Sequence, residues 1–174
     1  MYNLVYLSLG SNVGDRERNL RNAVDRMRGA GTIAAVSSFY ETEPVERVDQ
    51  PWFLNCVVAL ETEESPENLM STLLKTEHEM GRRRAQSKGP RLIDIDILLF
   101  SDRIIGSQDL TIPHPAMSQR RFVLQPLAEI APEVTHPVLK KTIRELLEAL
   151  PAGQLVRRVP PNGLTQNGSK SEAD

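Results

Sequence analysis

Cysteine is all but missing from this chain: Cys56 is the only one, so no internal disulfide can form, and its place in an apolar run reads as an inert buried thiol. Long hydrophobic runs are missing too. No segment approaches the roughly 18 uninterrupted apolar residues of a membrane span, and the first residues lack the basic, apolar, small-residue order of a secretory signal. The expectation is a cytoplasmic protein with no membrane partner. A basic surplus is lacking as well: 21 Lys and Arg stand against 23 Asp and Glu, a net charge of -2. That excludes a chain whose main task is coating nucleic acid, because such domains carry a pronounced positive excess. There are no internal repeats and no Walker A loop, since Gly10-Ser11-Asn12-Val13-Gly14-Asp15 lacks the Gly-Lys-Ser/Thr ending that cradles phosphates before a helix.

What remains is an ordinary globular composition. A chain of 174 residues, 40% hydrophobic and 25% charged, suits one core. We expect a single domain over residues 1–159 and a mobile tail over 160–174, where Pro, Asn, Gly and Ser replace apolar residues.

The periodicities predict alternating element types. Leu4 to Leu9 has strand composition and ends at Gly10-Ser11-Asn12. Asp15 can cap a helix whose Leu20, Ala23, Val24 and Met27 form one buried stripe. Ile33 to Tyr40 and Phe53 to Leu60 read as the second and third strands. Ser65-Pro66-Glu67 opens a second helix with Leu69, Met70, Leu73, Leu74 and Met80 on its apolar side. Leu92 to Phe100 reads as strand four, and short helices are expected near Arg120 to Ile130 and Thr142 to Leu150. The order β-α-β-β-α-β is the split βαβ pattern. It predicts an α+β, ferredoxin-like core: a four-stranded antiparallel sheet, two helices on one face, and C-terminal additions.

Strand four carries the sharpest chemical signal. A period of two puts Asp94 and Asp96 on one face while Ile93, Ile95 and Ile97 point the other way. Carboxylates about 7 Å apart along a strand can share a pair of Mg²⁺ ions bridged by polyphosphate oxygens. A bare Asp-x-Asp reads more readily as a solvated strand face. Here Arg82, Arg83, Arg84 and Arg91 surround it with positive charge, and a polyanion satisfies both signs. The arginine run alone reads equally as an exposed cluster or a phosphate-touching patch, but the interleaved aromatics of a nucleic-acid site are missing.

Phe53 and Asn55 share a face of strand three, an aromatic plane beside an amide that offers both donor and acceptor; a core Phe next to a turn-bonding Asn is the alternative. His114 lies between Pro113 and Pro115, with Thr111, Arg120, Arg121 and Phe122 nearby, and reads as a positioned side chain or a structural turn. Glu77 falls on the apolar stripe of the second helix and needs a partner, an arginine of the 82–91 loop or a nucleotide.

Taken together these residues resemble the 6-hydroxymethyl-7,8-dihydropterin pyrophosphokinase family over Leu4 to about Pro137. The matching motifs are Leu9-Gly10-Ser11-Asn12; Ser37-Ser38-Phe39-Tyr40 with Thr42; Asp49-Gln50-Pro51 with Phe53-Leu54-Asn55; Gly89-Pro90-Arg91 with Asp94-Ile95-Asp96; and Pro113-His114-Pro115 with Arg120 and Phe122. Two positions depart from some relatives: Lys88 stands where they carry Trp, and Asp109 where they carry a basic residue.

The resemblance implies ATP and a pterin side by side with two Mg²⁺ between them, and transfer of pyrophosphate to the hydroxymethyl oxygen with release of AMP, a step of folate synthesis. It implies that Asp94 and Asp96 bind the metals, with Arg82 and Arg91 assisting catalysis. Phe53 and Phe122 would sandwich the pterin, while Asn55 and the chain around Thr42, Glu43 and Val45 read its edge. Glu77, Arg82, Arg84, Arg91, Ile97, Thr111, His114 and Arg120 would hold the nucleotide. Loops 42–51 and 82–91 are expected to close over the reactants, and a monomer is expected. The rival readings of the same aspartates are a metal-dependent nuclease or nucleotidyl transferase, and a nucleotide-sensing module without turnover.

Overall fold

The computed structural model describes residues 1–44, 49–81 and 92–160. The sheet is built on β1 (Asn3–Ser11), which pairs antiparallel with β4 (Phe53–Thr62) on one side and β5 (Asp94–Phe100) on the other. Along the far edge of β4 run β2 (Thr32–Val36) and then β3 (Tyr40–Thr42), and β3 in turn carries β8 (Val156–Arg158). Every pair is antiparallel. The four-stranded sheet expected from the sequence is therefore six-stranded, ordered β5-β1-β4-β3-β8 with β2 also on β4. A separate two-stranded ribbon joins β6 (Ile105–Gly106) to β7 (Thr111–Ile112).

The predicted strand over Ile33 to Tyr40 is two strands, and the reason is local chemistry. Ser37 donates its N–H to the Val57 carbonyl at 2.9 Å, but the Val57 N–H answers to the Ser37 hydroxyl at 2.9 Å rather than to a main-chain carbonyl. A side chain thus replaces one rung of the ladder. The chain bulges, and pairing resumes at Tyr40 opposite Asn55.

Two helices cover one face of the sheet. In α1 (Arg16–Met27) the Asp15 carboxylate accepts the Arg18 N–H, and Leu20, Ala23 and Met27 are buried. In α2 (Pro66–Glu79) Ser65 caps the first turn, Pro66 sits where a missing N–H costs nothing, and Leu69 and Leu73 are buried. These side chains pack on Val5, Leu7, Leu9, Leu54, Cys56, Val58, Ile95 and Ile97. Burial pushes the Cys56 thiol up to about 12, so it stays an inert apolar group.

The opposite face is half covered, by α3 (Arg121–Ile130) and α4 (Ile143–Glu148), whose Val123, Leu124, Leu127, Ile143 and Leu146 pack on Tyr6, Val57, Ala59, Leu98 and Leu99. A bulge after Ile97 turns two successive leucines, Leu98 and Leu99, to this side before Phe100 returns to the other. The short helices expected at the C-terminal end thus build a second core. This second core stops short of the sheet end where β1, β4 and β5 present Ser8, Gly10, Phe53, Asn55, Asp94 and Asp96, and that uncovered end of the face is the candidate site. Among the described residues, no helix is long and apolar enough to cross a membrane.

Candidate active site

Strand register assembles the site. Gly10 of β1 lies between Asp94 of β5 and Asn55 of β4, and Ser8 lies beside Asp96. The next strand adds Tyr40 opposite Asn55 and Thr42 opposite Phe53. These rows floor a cavity of about 140 Å³, whose walls are Thr42, Glu43, Pro44, Gln50, Arg120, Phe122 and Gln154, the last beside Glu43. The two carboxylates stand at one end of the floor and the amide and ring of Asn55 and Phe53 at the other.

Asn55 is 4% exposed, and its orientation is fixed. Its Oδ1 accepts the Thr42 hydroxyl at 2.7 Å and its Nδ2 donates to the Leu9 carbonyl at 3.4 Å. Gly10 is required beneath it, since a Cβ there would fall 2.6 Å from Asn55 Nδ2 and 3.5 Å from Phe53 Cδ1. A glycine lets the amide lie flat on the strand.

The segment that follows β3 is tied at both described ends. Asn12 donates to Gln50 Oε1 at 2.8 Å and to the Pro51 carbonyl at 3.1 Å. Arg16 donates to the Trp52 carbonyl at 3.0 Å and pairs with Glu41 at 2.6 Å. Burial works against charging Glu41, but hydrogen bonds from Arg16 and Arg157 outweigh it and hold the carboxyl below its usual range.

His114 stands near the carboxylate end. Burial lowers its pKa, Asp96 opposes that, Arg120 adds to it and Asp94 opposes it, and the outcome is below the usual 6.5. The ring is therefore neutral at pH 7. Its Nδ1 accepts the Ala116 N–H at 3.1 Å, which leaves the proton on Nε2 as a donor. Arg120 lies over the Phe122 ring, 5.5 Å from its centre, so a cation and an aromatic plane reach the cavity as a unit.

The structure thus brings Thr42, Glu43, Phe53, Asn55, Asp94, Asp96, Arg120 and Phe122 to one cavity, with His114 close by. Three predicted nucleotide residues fall elsewhere. Glu77 is 3% exposed and accepts the Ile95 N–H at 2.8 Å, holding the outer edge of β5 against α2 rather than lining the cavity. Ile97 has its side chain in the helix-covered core, because its pleat position is opposite to that of Asp96; only its main chain can face a ligand. Thr111 is exposed on the β6–β7 ribbon. Val45, Arg82, Arg84 and Arg91 lie outside the described residues, as do the whole of the 82–91 loop and the tail after Pro160.

Sequence reasoning missed Ser8, Gly10, Gln50 and Gln154 as cavity residues. Ser8 and Gly10 follow once β1 is paired with the aspartate strand; Gln154 carries no local signal. A larger opening of about 1110 Å³ lies between α1 and Ser37, Ser38 and Phe39, and Glu17, Arg21 and Glu129 in its lining are already engaged. Arg21 bonds Glu17 and covers the Phe39 ring, and Glu129 accepts from Ser38 and Tyr40.

The aspartates could hold a hard cation. Among the described residues no cluster of three or more His, Cys, Asp or Glu forms a protein-only cage. Mg²⁺ in phosphoryl transfer needs none, being held by one or two carboxylates together with substrate phosphates. The donor set fits an ion that arrives with a polyphosphate.

The model of the 7,8-dihydro-6-hydroxymethylpterin-pyrophosphokinase family matches residues 6–132. A 2-amino-4-hydroxy-6-hydroxymethyldihydropteridine pyrophosphokinase of Bacillus subtilis (strain 168) is 47% identical over 136 residues, 77% of this chain and 81% of the relative. The folic acid synthesis protein FOL1 of Dictyostelium discoideum is 40% identical over 159 residues, 91% of this chain; the chain spans only 24% of that relative's length. A solved structure of wild-type Plasmodium falciparum HPPK-DHPS superposes with a TM-score of 0.69 at 20% identity, covering 85% of this chain and 43% of the other, which supports the fold.

Proposed function

Since the chain belongs to the 7,8-dihydro-6-hydroxymethylpterin-pyrophosphokinase family, we propose that it transfers pyrophosphate from ATP to the hydroxymethyl oxygen of 6-hydroxymethyl-7,8-dihydropterin and releases AMP. The observation that carries this reading is the row Asp94, Gly10, Asn55 across three strands: a cation-binding end and a heterocycle-binding end share one floor.

The pterin would lie between Phe53 and Phe122, its polar edge read by Asn55, whose orientation Thr42 fixes, and by main-chain carbonyls at Glu43 and Pro44, the Glu43 N–H being taken by Leu155. Asp94 and Asp96 would hold two Mg²⁺ that, when bound, neutralise and align the triphosphate. Arg120 and the Nε2–H of His114 would hold phosphate oxygens, a neutral donor and a cation complementing each other. Arg82, Arg84 and Arg91 are proposed to add positive charge there. The pterin oxygen attacks the β-phosphorus, the bond to the α-phosphate oxygen breaks, and the hydroxyl proton passes to Asp96 or to solvent. Positioning and charge neutralisation supply most of the acceleration, with no covalent enzyme intermediate.

Counting β2 and β3 as one strand position, we read β5-β1-β4-β2/β3 as the ferredoxin-like order, with β8 as an extra edge. Residues 1–159 are proposed to form one pyrophosphokinase domain acting as a cytoplasmic monomer.

Product analysis with ATP labelled separately at the β- and γ-phosphorus tests the reading. Both labels should enter the pterin product together, with unlabelled AMP left behind. ADP, or label from the γ position alone, would overturn it in favour of ordinary phosphoryl transfer. Phosphodiester cleavage would favour a nuclease, and ATP binding without turnover a sensing module.

A further inference from the structure

The family match ends at residue 132, yet a residue well beyond it reaches the cavity. The segment 154–159 is bonded to 38–43 along its length. Val159 N–H donates to the Phe39 carbonyl at 2.8 Å, Arg158 Nε to the Ser38 hydroxyl at 3.0 Å, and Arg157 Nη2 to Glu41 Oε2 at 3.0 Å. Val156 pairs with Thr42.

These contacts converge on Glu43. Its N–H donates to the Leu155 carbonyl at 3.3 Å, its Oε1 accepts the Leu155 N–H at 2.8 Å, and its carbonyl accepts Gln154 Nε2 at 2.7 Å. Main chain, carboxylate and carbonyl are all held, the last of them by a side chain. Closing a sheet edge needs only backbone pairing. The Gln154 carboxamide does something more: it fixes the carbonyl of one cavity residue while itself forming part of the cavity wall. In a space of about 140 Å³ a flat ring has little slack, so drift of Glu43 and Pro44 moves the wall against it.

We propose that Gln154 is a positioning residue of the heterocycle subsite, holding the Glu43 carbonyl so that pterin affinity depends on the C-terminal segment as well as on β3 and β4. The assignment rests on the pyrophosphokinase reading above. It separates two roles within one short segment: Arg157 ties β8 to Glu41 from an exposed position outside the cavity, whereas Gln154, two residues before β8, shapes the cavity itself.

The test uses the full chain with Gln154→Ala, the isosteric Gln154→Met, and Arg157→Ala as a control for loosening the strand. Steady-state kinetics with each substrate varied would be joined to calorimetric titration with the dihydropterin and to thermal melting. Loss of one neutral hydrogen bond should raise the pterin KM and Kd by roughly three- to tenfold in both Gln154 variants. The ATP KM and kcat should move less than about twofold, and the melting temperature by a few degrees at most. Arg157→Ala should leave pterin affinity as it is. Wild-type pterin affinity in Gln154→Met overturns the donor assignment, and an equal loss in Arg157→Ala overturns it in favour of the strand as a whole. A wild-type protein that releases no AMP overturns the functional reading and this assignment together; one that does, with Gln154 variants indistinguishable from it, overturns this assignment alone.

Discussion

Gly10→Ala should damage this protein, although most glycine-to-alanine changes in a strand stabilise one. Gly10 is not among the residues with positive φ, so alanine suits its backbone and should gain a few tenths of a kcal/mol by restricting the unfolded chain. Against that, the new Cβ meets Asn55 Nδ2 at 2.6 Å. The amide must retreat by about 1 Å to reach van der Waals contact. It has nowhere cheap to go, being 4% exposed and held at 2.7 Å by the Thr42 hydroxyl. Breaking that buried bond costs about 1 kcal/mol, and crowding a packed site adds about 1–3 kcal/mol. The net loss should be roughly 2–4 kcal/mol in urea unfolding, with a pterin affinity loss of at least about tenfold because the displaced amide is the group proposed to read the pterin edge. The double variant Gly10→Ala/Asn55→Ser removes the clash. Its loss of stability should fall short of the sum of the two single losses by a coupling of about 1 kcal/mol or more. Additive losses, or a Gly10→Ala protein as stable as wild type, would refute the picture of a floor that admits no Cβ.

Two further outcomes are expected. Glu77→Ala should destabilise the fold by about 1–3 kcal/mol in chemical denaturation, because the Ile95 N–H at the edge of β5 loses its acceptor; Glu77→Gln keeps an acceptor and should lose less, and equal losses would show that the bond does not matter. His136 is 6% exposed, and its Nδ1 accepts the Val138 and Leu139 N–H groups at 3.2 and 3.1 Å, with burial lowering its pKa from 6.5. The unfolded chain then binds the proton more readily, so stability is full above pH 6.5 and falls as pH drops through 6.5 towards the folded value. The decline of the urea midpoint between pH 7.5 and 5.5 should be shallower in His136→Asn, which keeps an acceptor but does not titrate; an unchanged decline would exclude this histidine as its source.

Much of the site was legible in the sequence because strands encode their faces with a period of two. Asp94 and Asp96 alternate with Ile95 and Ile97, and Phe53 and Asn55 with Leu54 and Cys56, and both alternations are resolved by the sheet as site face and core face. The helices were legible from stripe and cap. What was hidden depends on partners remote in sequence. Val156 to Arg158 has no alternation and becomes a strand only because the edge of β3 is available. The break at Ser37 comes from a hydroxyl replacing a rung. Glu77 reads as an anomaly on an apolar stripe, and only the edge of β5 accounts for it. The bulge that turns both Leu98 and Leu99 to one side leaves no composition signal, yet it lets the strand carrying the aspartates also complete the second core.

Asp94→Asn and Asp96→Asn, measured for turnover and for pterin binding on the same preparations, test the central claim most directly. Each amide keeps the shape of the floor while removing a hard anionic ligand, and loss of metal-assisted charge stabilisation is worth several kcal/mol. AMP release should fall by at least about a hundredfold with melting temperature and pterin affinity close to wild type. Turnover within a few-fold of wild type in either variant would contradict an account in which these two carboxylates anchor the polyphosphate.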